Sequence, residues 1–252
     1  MNAFLRRVAP GKVAQPIPVG ASCLLLLVTC QGASAGDTLQ AIEAACVQRI
    51  AERPSLTAKI RMQTVRLTGA EVIISDSNGT YEHLLKGDQL LFRVEMKNEV
   101  TTRSRGREVR AVQQLLTVCD GRFAFTLTQQ GTSKSVVKNL MQPGQSTLAD
   151  KPFFEGLRRG FEVKVLPDAK LGDEDAWVIE AIPRQLGPGQ PAKMVHYILK
   201  SSGIRSKSTG HDQMGRRIQL TQLTELSFEA TADAKRFRFE LPKGVEVLDL
   251  TK

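Results

Sequence analysis

Apolar and polar residues alternate with a period of two in many stretches of this sequence, which is the pattern of half-buried β-strands. In the cleanest stretch, four apolar residues fall on one face of a single strand: Leu90, Phe92, Val94 and Met96. A chain with many such strands must build a sheet with two faces. A single twisted sheet of this length has to curl and be covered, so the pattern predicts a mostly antiparallel β-protein with a few helices.

Further alternating runs predict strands along the rest of the chain, at 56–63, from about residue 80, and at 115–119, 123–127, 161–166, 176–182, 194–200, 204–209, 216–228, 236–241 and 245–247. Hairpin turns are predicted where glycine follows a turn-forming residue, at Asn78-Gly79, Asp120-Gly121 and 212–215. Leu223 falls out of phase within its strand, which indicates a bulge or an edge near Gln222.

Two amphipathic helices are predicted. The first begins at Asp37, whose spacing to Gln40 fits a capping box, and ends before Arg53-Pro54. The second begins at Asp150, carries Phe153 and Phe154, and ends at Gly160. The strands alone cannot cover the sheet, so these helices are expected to cover one of its faces.

Residues 1–35 have the three zones of a secretory signal: a basic start, an apolar run from Val19 to Cys30, and the small-residue site Ala33-Ser34-Ala35. The apolar run is too short to cross about 30 Å of hydrocarbon as a helix. The sequence therefore predicts a signal peptide at 1–35 and one exported domain at 36–252. The alternative is that Leu27-Val28-Thr29-Cys30 is a lipobox, with the protein lipid-anchored at Cys30.

Cys46 and Cys119 are the only cysteines after the signal segment. In an oxidising compartment an even pair can form a disulfide, which would tie the first helix to the hairpin at Asp120. The alternative is two buried apolar thiols.

The basic balance of the chain limits its partners. The chain has a formal net charge of +9. Three positive charges lie in residues 1–35, so residues 36–252 carry a net charge of +6. Four arginines lie within residues 97–110. A solvated loop explains them, and the alternative is contact with anionic head groups or an acidic partner. That run has no interleaved aromatic residues to stack on bases, so nucleic-acid binding is not predicted.

The motifs of common catalytic sites are missing. His83, His196 and His211 have no metal-binding spacing, and the sequence has no nucleophile elbow, phosphate loop or dinucleotide fingerprint. The sequence predicts no metal, no cofactor and no catalytic residue, hence a protein that is not an enzyme.

A family resemblance agrees with this pattern. The turn at 212–215, the closing FRFELPKGVEVLDL from Phe237 to Leu250 and the hairpin VCDGRFAF from Val118 to Phe125 resemble the periplasmic outer-membrane lipoprotein carrier (LolA) family and its lipoprotein-sorting relatives. The resemblance implies an α+β fold, mostly antiparallel β: an open, strongly curved half-barrel covered by a few helices. It also implies a periplasmic carrier that holds acyl chains in an apolar cavity. The alternative is an envelope sensor or interaction module that binds a protein partner on the same fold.

The apolar faces of the strands and of the second helix provide the predicted lipid-binding residues: Ile60, Met62, Leu90, Phe92, Val94, Met96, Phe123, Phe125, Leu127, Phe153 and Phe154. Arg93 is the candidate for a lid-contacting arginine of the family type, and a solvent-facing arginine is the alternative. The expected partners are acyl chains of a lipid or lipoprotein and a membrane-bound donor or acceptor protein, with the chain itself a monomer. Solid packing of the same apolar residues, without a cavity, is the other interpretation of the pattern.

We expect cleavage after Ala35, so that the exported protein begins at Gly36, because the small residues at 33 and 35 fit the signal-peptidase pattern. Intact-mass spectrometry of the protein recovered from the cell envelope tests this. A fatty-acylated Cys30 at the N-terminus would show that the lipobox interpretation is the correct one.

Overall fold

The computed structural model describes residues 37–87, 89–141, 148–228 and 233–251. The helices are α1 (Leu39–Glu52) and α2 (Lys151–Gly160). The strands are β1 (Ser55–Thr68), β2 (Glu71–Lys86), β3 (Gln89–Ser104), β4 (Arg107–Cys119), β5 (Phe123–Gln130), β6 (Ser133–Leu140), β7 (Phe161–Leu171), β8 (Glu174–Pro183), β9 (Lys193–Leu199), β10 (Arg205–His211), β11 (Arg217–Ser227) and β12 (Val247–Asp249). A short 3-10 helix spans Ala234–Phe237. The signal segment and its lipobox alternative lie outside the described residues.

The strands pair in one sheet with the order β12-β6-β5-β4-β3-β2-β1-β11-β10-β9-β8-β7. Every pairing is antiparallel except that of β12 with β6, which is parallel. The sheet is open, because its two edge strands, β12 and β7, do not pair with each other. The predicted α+β, mostly antiparallel half-barrel is thereby confirmed.

The helices begin at side-chain caps. The α1 cap is Thr38, whose hydroxyl accepts from the Ala41 amide, one residue later than the predicted Asp37. Asp37 instead accepts a hydrogen bond of 2.7 Å from the indole N–H of Trp177. Helix α2 begins as predicted, with the Asp150 carboxylate accepting from the Phe153 amide at 3.0 Å.

Each face of the sheet is covered by a different part of the chain. In an antiparallel ladder, directly paired residues share a face. The inner face carries the row Tyr81, Val94, Thr117 and Thr126, and both helices lie on this side. The outer face carries the next row along the strands, made of Glu82, Arg93, Val118, Phe125 and Lys138.

The C-terminal segment 233–251 crosses this outer row. Arg236 forms two hydrogen bonds to the Glu82 carboxylate, at 2.9 and 2.6 Å. Phe239 stacks on Phe125 with ring centroids 5.0 Å apart. The predicted strand at 236–241 is therefore wrong: these residues lie on the sheet, not in it, and Phe237 is the buried last residue of the 3-10 helix.

The other predicted turns differ in outcome. The turns at Asp120-Gly121 and 212–215 are confirmed. The arginine-rich stretch expected to be a loop is instead the β3–β4 hairpin, with its turn at Arg105-Gly106. The irregularity predicted near Gln222 lies at Glu225, which has a positive φ of 52° opposite a register shift in β1.

Gly79 is not a turn residue, and the hairpin predicted at Asn78-Gly79 is wrong. Gly79 lies in the middle of β2, paired with Ile60 on one side and Met96 on the other. A Cβ atom at this position would lie 1.8 Å from the Glu95 carbonyl oxygen. Glycine is required here because a neighbouring backbone approaches closely, which is the other common reason for glycine inside a strand.

The two cysteines are buried and unbonded, so the predicted disulfide does not form. Cys46 packs from α1 against the backbone of Gly203, whereas Cys119 lies at the end of β4 with its Sγ 3.4 Å from the Gly121 amide. Burial raises the pKa of Cys46 to about 12 and also raises the pKa of Cys119. Both behave as the small apolar thiols of the alternative interpretation.

The β7 strand forms one outer edge of the sheet and is interrupted. Its pairing with β8 shifts register between Leu166 and Ala169, around Pro167. The exposed positions of this strand include Glu162 and Lys164.

Replacing Gly79 with alanine should destabilise the fold by about 1–3 kcal/mol, because the backbone of β3 has to move to admit a methyl group. Urea denaturation measures the change in the free energy of unfolding. Gly156→Ala is the matched control: it lies in α2 with open space around it, and alanine there should stabilise by about 0.5–1 kcal/mol. Equal effects of the two substitutions would contradict the close approach at Gly79.

Candidate functional site

The inner face of the sheet holds a cavity of ≈ 680 Å³ between strands β1 and β6. Its apolar wall is formed by Ile60, Met62, Tyr81, Phe92, Val94, Met96, Ala124, Leu140 and Leu250. Five of these come from the alternating stretches of β1 and β3 that the sequence analysis singled out. The cavity therefore lies where the periodic pattern predicts an apolar face.

The other half of the inner face is solidly packed. Phe153 and Phe154 of α2 are buried in a common core with Ile179, Ile198 and Leu223 of the sheet. Helix α1 joins this packing through three buried residues one turn apart: Ile42, Cys46 and Ile50. The same core cluster extends to Ile60, Phe92 and Val94, which also line the cavity, so the cavity adjoins the packed core.

The predicted binding residues fall into three groups. Ile60, Met62, Phe92, Val94 and Met96 line the cavity together. Leu90 lies on the same face of β3 but packs against the core instead of the cavity. Phe153 and Phe154 lie within the packed core under α2, not in the cavity wall.

Phe123, Phe125 and Leu127 are not part of this site, and their predicted position in the concavity is wrong. Their ladder partners on β4 include Val118, an outer-face residue, so all three point to the outer side of β5. Alternation along a strand defines two faces but does not say which of them points inward. In this strand the smaller residues, Ala124 and Thr126, line the cavity.

Arg93 also lies on the outer face, away from both helices. Its Nε donates to the Glu95 carboxylate at 2.6 Å, and its Nη1 donates to the backbone carbonyl of Arg236 at 3.3 Å. The predicted lid contact is wrong. Arg93 alternates with Phe92 along β3, so it points to the outer face and meets the C-terminal segment instead of a helix.

The arginine that does contact a helix is Arg205, which sequence reasoning missed. It lines the cavity from β10, and its guanidinium lies 4.6 Å from the ring centroid of Phe153 on α2. Burial lowers the pKa of Arg205 to about 10, and the negative charge of Asp150 at the start of α2 opposes that shift. In the sequence, Arg205 is distinguished only by its position directly after Ile204, which is buried in the structure.

Polar side chains line part of the cavity as well: Thr117, Thr126, Asn139, Arg205 and Thr221. The site is therefore amphiphilic, with an apolar wall on β1 and β3 and hydrogen-bonding groups on the neighbouring strands. Such a combination suits a ligand with an apolar body and a polar part.

Two histidines are buried in neutral form near this site. His83 is fully buried beside the Tyr81 ring, at a centroid distance of 5.7 Å, and burial lowers its pKa to about 4. His196 lies 2.9 Å from the Ser208 hydroxyl, and burial together with the charge of Arg205 lowers its pKa to about 3. Neither carries a charge at neutral pH.

The described part of the chain lacks two features, a metal-binding cluster and a membrane-spanning helix. Its His, Cys, Asp and Glu side chains form no group of three that could hold a metal ion. No helix among the described residues is long and apolar enough to span a bilayer.

The protein should lose stability as the pH falls from about 6.5 towards 4. The unfolded chain takes up protons on its histidines near pH 6.5, whereas folded His83 does so only near pH 4, so acidification favours the unfolded state. His83→Phe should reduce the difference in unfolding free energy between pH 7 and pH 5, measured by urea denaturation. His211→Gln, at the end of β10, is the control, and an unchanged pH dependence in His83→Phe would contradict the assignment.

No family model and no curated protein matches the sequence. Solved structures similar to this chain include an uncharacterized conserved protein from Thermus thermophilus, with 13% identity over 83% of this chain and 98% of that chain, at a TM-score of 0.45. MucB in the Pseudomonas aeruginosa MucA/MucB complex has 13% identity over 79% of this chain and a TM-score of 0.42, and the match spans 61% of MucB. The LolA superfamily protein NE2245 from Nitrosomonas europaea has 13% identity over 81% of this chain and 98% of its own length, at a TM-score of 0.31. The chain is thus remotely similar to proteins that include a LolA superfamily member.

Proposed function

We propose that this protein is an exported carrier that binds the acyl chains of a lipid or lipoprotein in the inner-face cavity and passes them on without breaking a bond. The observation that carries the proposal is that Ile60, Met62, Phe92, Val94 and Met96 line one cavity on the inner face. A sheet face of this apolarity is normally filled by packing elements. Here a cavity of ≈ 680 Å³ remains, within the range of about 300–1,000 Å³ typical of small-molecule sites.

Binding would be driven by removing hydrocarbon from water. Each methylene group that enters the cavity contributes about 0.8 kcal/mol, so about ten of them supply about 8 kcal/mol before the costs of association. Release then requires an acceptor site of comparable affinity. A membrane-bound donor and acceptor protein fit this requirement, as does export of the domain 36–252 behind its signal segment.

Helix α2 would act as the movable cover of the cavity. Its buried face, Phe153, Phe154 and Leu157, meets the packed half of the sheet, and Arg205 lies between that face and the cavity. The Arg205 cation interacts with the Phe153 ring and with the charge of Asp150 at the start of the helix. A ligand that reaches Arg205 would compete for the same contacts, which links occupancy of the cavity to the position of α2.

The second candidate function is an envelope sensor or interaction module that binds a peptide of a partner protein. It is favoured by the polar part of the cavity, where Thr117, Thr126, Asn139 and Thr221 offer hydrogen bonds that an acyl chain would not use. Native mass spectrometry distinguishes the two candidates, because a bound lipid and a bound peptide differ in mass and in extractability by organic solvent.

Thr126→Trp should abolish most of the lipid binding, because the indole would occupy the cavity from the inner face of β5. Displacing even two methylene groups costs about 1.6 kcal/mol, which is somewhat more than a tenfold loss of affinity. Gln114→Trp, on the exposed outer side of β4, is the matched control and should bind as the unmodified protein does. The measurements are titration with a fluorescent fatty acid and native mass spectrometry of envelope-purified protein.

The carrier proposal fails if the unmodified protein retains no lipid and binds no fatty acid. It also fails if Thr126→Trp binds fatty acid as tightly as the Gln114→Trp control. Thermal unfolding of both variants shows that each is folded, so a loss of binding cannot be mistaken for a loss of structure.

A further inference from the structure

One end of the sheet gathers most of the basic turns of the molecule. Because the strands are antiparallel, the β1–β2, β3–β4, β5–β6, β8–β9 and β10–β11 connections all lie at this end. We call it the basic rim and define it by the segments 65–74, 101–111, 129–134, 184–192 and 211–217. It is distinct from the cavity and from the residues that line it.

The rim has a strong excess of positive charge. Its five segments contain nine arginine and lysine residues and three acidic residues, a net charge of +6. In the described turns at the opposite end, at 52–55, 86–87, 119–123, 171–175 and 200–204, four basic residues are outnumbered by five acidic ones. The charge of the domain is therefore polarised along the strands.

Three of the nine basic residues of the rim form ion pairs within it: Arg216 pairs with Asp212 at 2.7 Å, and two arginines pair with Glu108. Glu108 is shared by Arg103 and Arg110, at 2.8 and 2.7 Å. Arg105 and Arg107, at the β3–β4 turn, form no ion pair with any described residue and are exposed. An anionic partner could therefore bind these two without displacing an existing ion pair.

Large apolar side chains stand exposed among these charges. They lie on four different connections and have exposed fractions of 54% for Leu67, 64% for Val109, 45% for Leu186 and 80% for Met214. Single exposed apolar side chains are common on protein surfaces, but here four of them lie at one end of the sheet among basic residues. Leu67, Leu186 and Met214 line one groove of ≈ 850 Å³, and Val109 lies apart from it on the β3–β4 hairpin.

Part of the rim projects from the body of the sheet. The β1–β11 pairing ends at Thr64 and the β4–β5 pairing ends at Gln114. Beyond these residues only the ribbon β1–β4 continues its pairing, by four residues in β1 and β2 and by seven in β3 and β4, or about 13–23 Å. The β8–β9 and β10–β11 connections lie beside its β1 strand, since residues of 64–68, 184–192 and 211–217 line one groove.

We propose that the basic rim docks the protein on an anionic lipid bilayer, with Leu67, Val109, Leu186 and Met214 entering the head-group layer. The four apolar side chains are spread over the strands from β4 to β8, seven strand spacings or about 34 Å along the sheet. Exposed apolar side chains among arginines suit a deformable surface with an apolar interior and anionic head groups.

The test is co-sedimentation of the envelope-purified protein with vesicles of phosphatidylcholine, or of phosphatidylcholine and phosphatidylglycerol in equal parts. We expect binding to the anionic vesicles at about 0.1 M salt and much weaker binding at about 1 M salt, where screening shortens the reach of charges to about 3 Å. Replacing Arg105 and Arg107 with glutamine should weaken binding about fivefold for each arginine, the equivalent of about 1 kcal/mol per charge near an anionic surface. Val109→Ser with Met214→Ser should remove most of the binding that survives high salt.

The matched control is Arg238→Gln with Lys243→Gln, which removes two exposed positive charges from the C-terminal segment outside the rim. It should bind anionic vesicles as the unmodified protein does, and thermal unfolding checks that every variant is folded. Equal binding to neutral and anionic vesicles, or no effect of the Arg105 and Arg107 changes, would overturn the proposal. Arginine-dependent binding of soluble poly-glutamate without binding to the vesicles would assign the rim to an acidic protein and would also overturn it. Because the cavity is not involved, these outcomes are independent of whether the protein carries acyl chains.

Discussion

The pairing of β2 with β3 is the constraint on which the rest of the structure depends. Sixteen residue pairs join these strands without a register shift. A slip of one residue would turn Phe92 and Val94 outward and bring Arg93 and Glu95 into the core. The close approach at Gly79 fixes this register at the centre of the pair, because no other residue type fits there without movement of the backbone. The apolar cavity wall and the contacts of the C-terminal segment on the outer face both follow from that one alignment.

The periodic pattern predicted most of the elements and about half of the site. Phe92 and Val94 were placed correctly because β3 separates large apolar residues on one side from charged residues on the other. The pattern failed in β5, since both faces of that strand are covered and the larger residues, such as Phe125, pack against the C-terminal segment. The same period of two in Phe237 and Phe239 arises because an extended segment lying on a sheet presents alternate residues to it, as a strand within the sheet does.

Sequence patterns could not decide between a cavity and a solid core, and the structure contains both. Phe153 and Ile179 belong to the packed interior that includes both helices, while Met62 and Met96 face open volume. The boundary between the two halves is marked by Arg205, which no local pattern identifies. Its position depends on the contact between β10 and a helix that lies about fifty residues earlier in the chain, and contacts of that kind leave no periodic trace.

The interrupted edge strand β7 has a consequence for how this protein behaves at high concentration. An unpaired edge presents free backbone donors and acceptors that would accept a strand from another molecule. Proline at position 167, the register shift around it and the outward charges of Glu162 and Lys164 prevent a second strand from aligning along β7. At the opposite edge, β12 is only three residues long, Val247–Asp249, and pairs in parallel with β6, so it offers little backbone to a further strand. A sheet of twelve strands can thus remain open without pairing with strands of further copies. Its apolar inner face can also stay accessible without promoting aggregation.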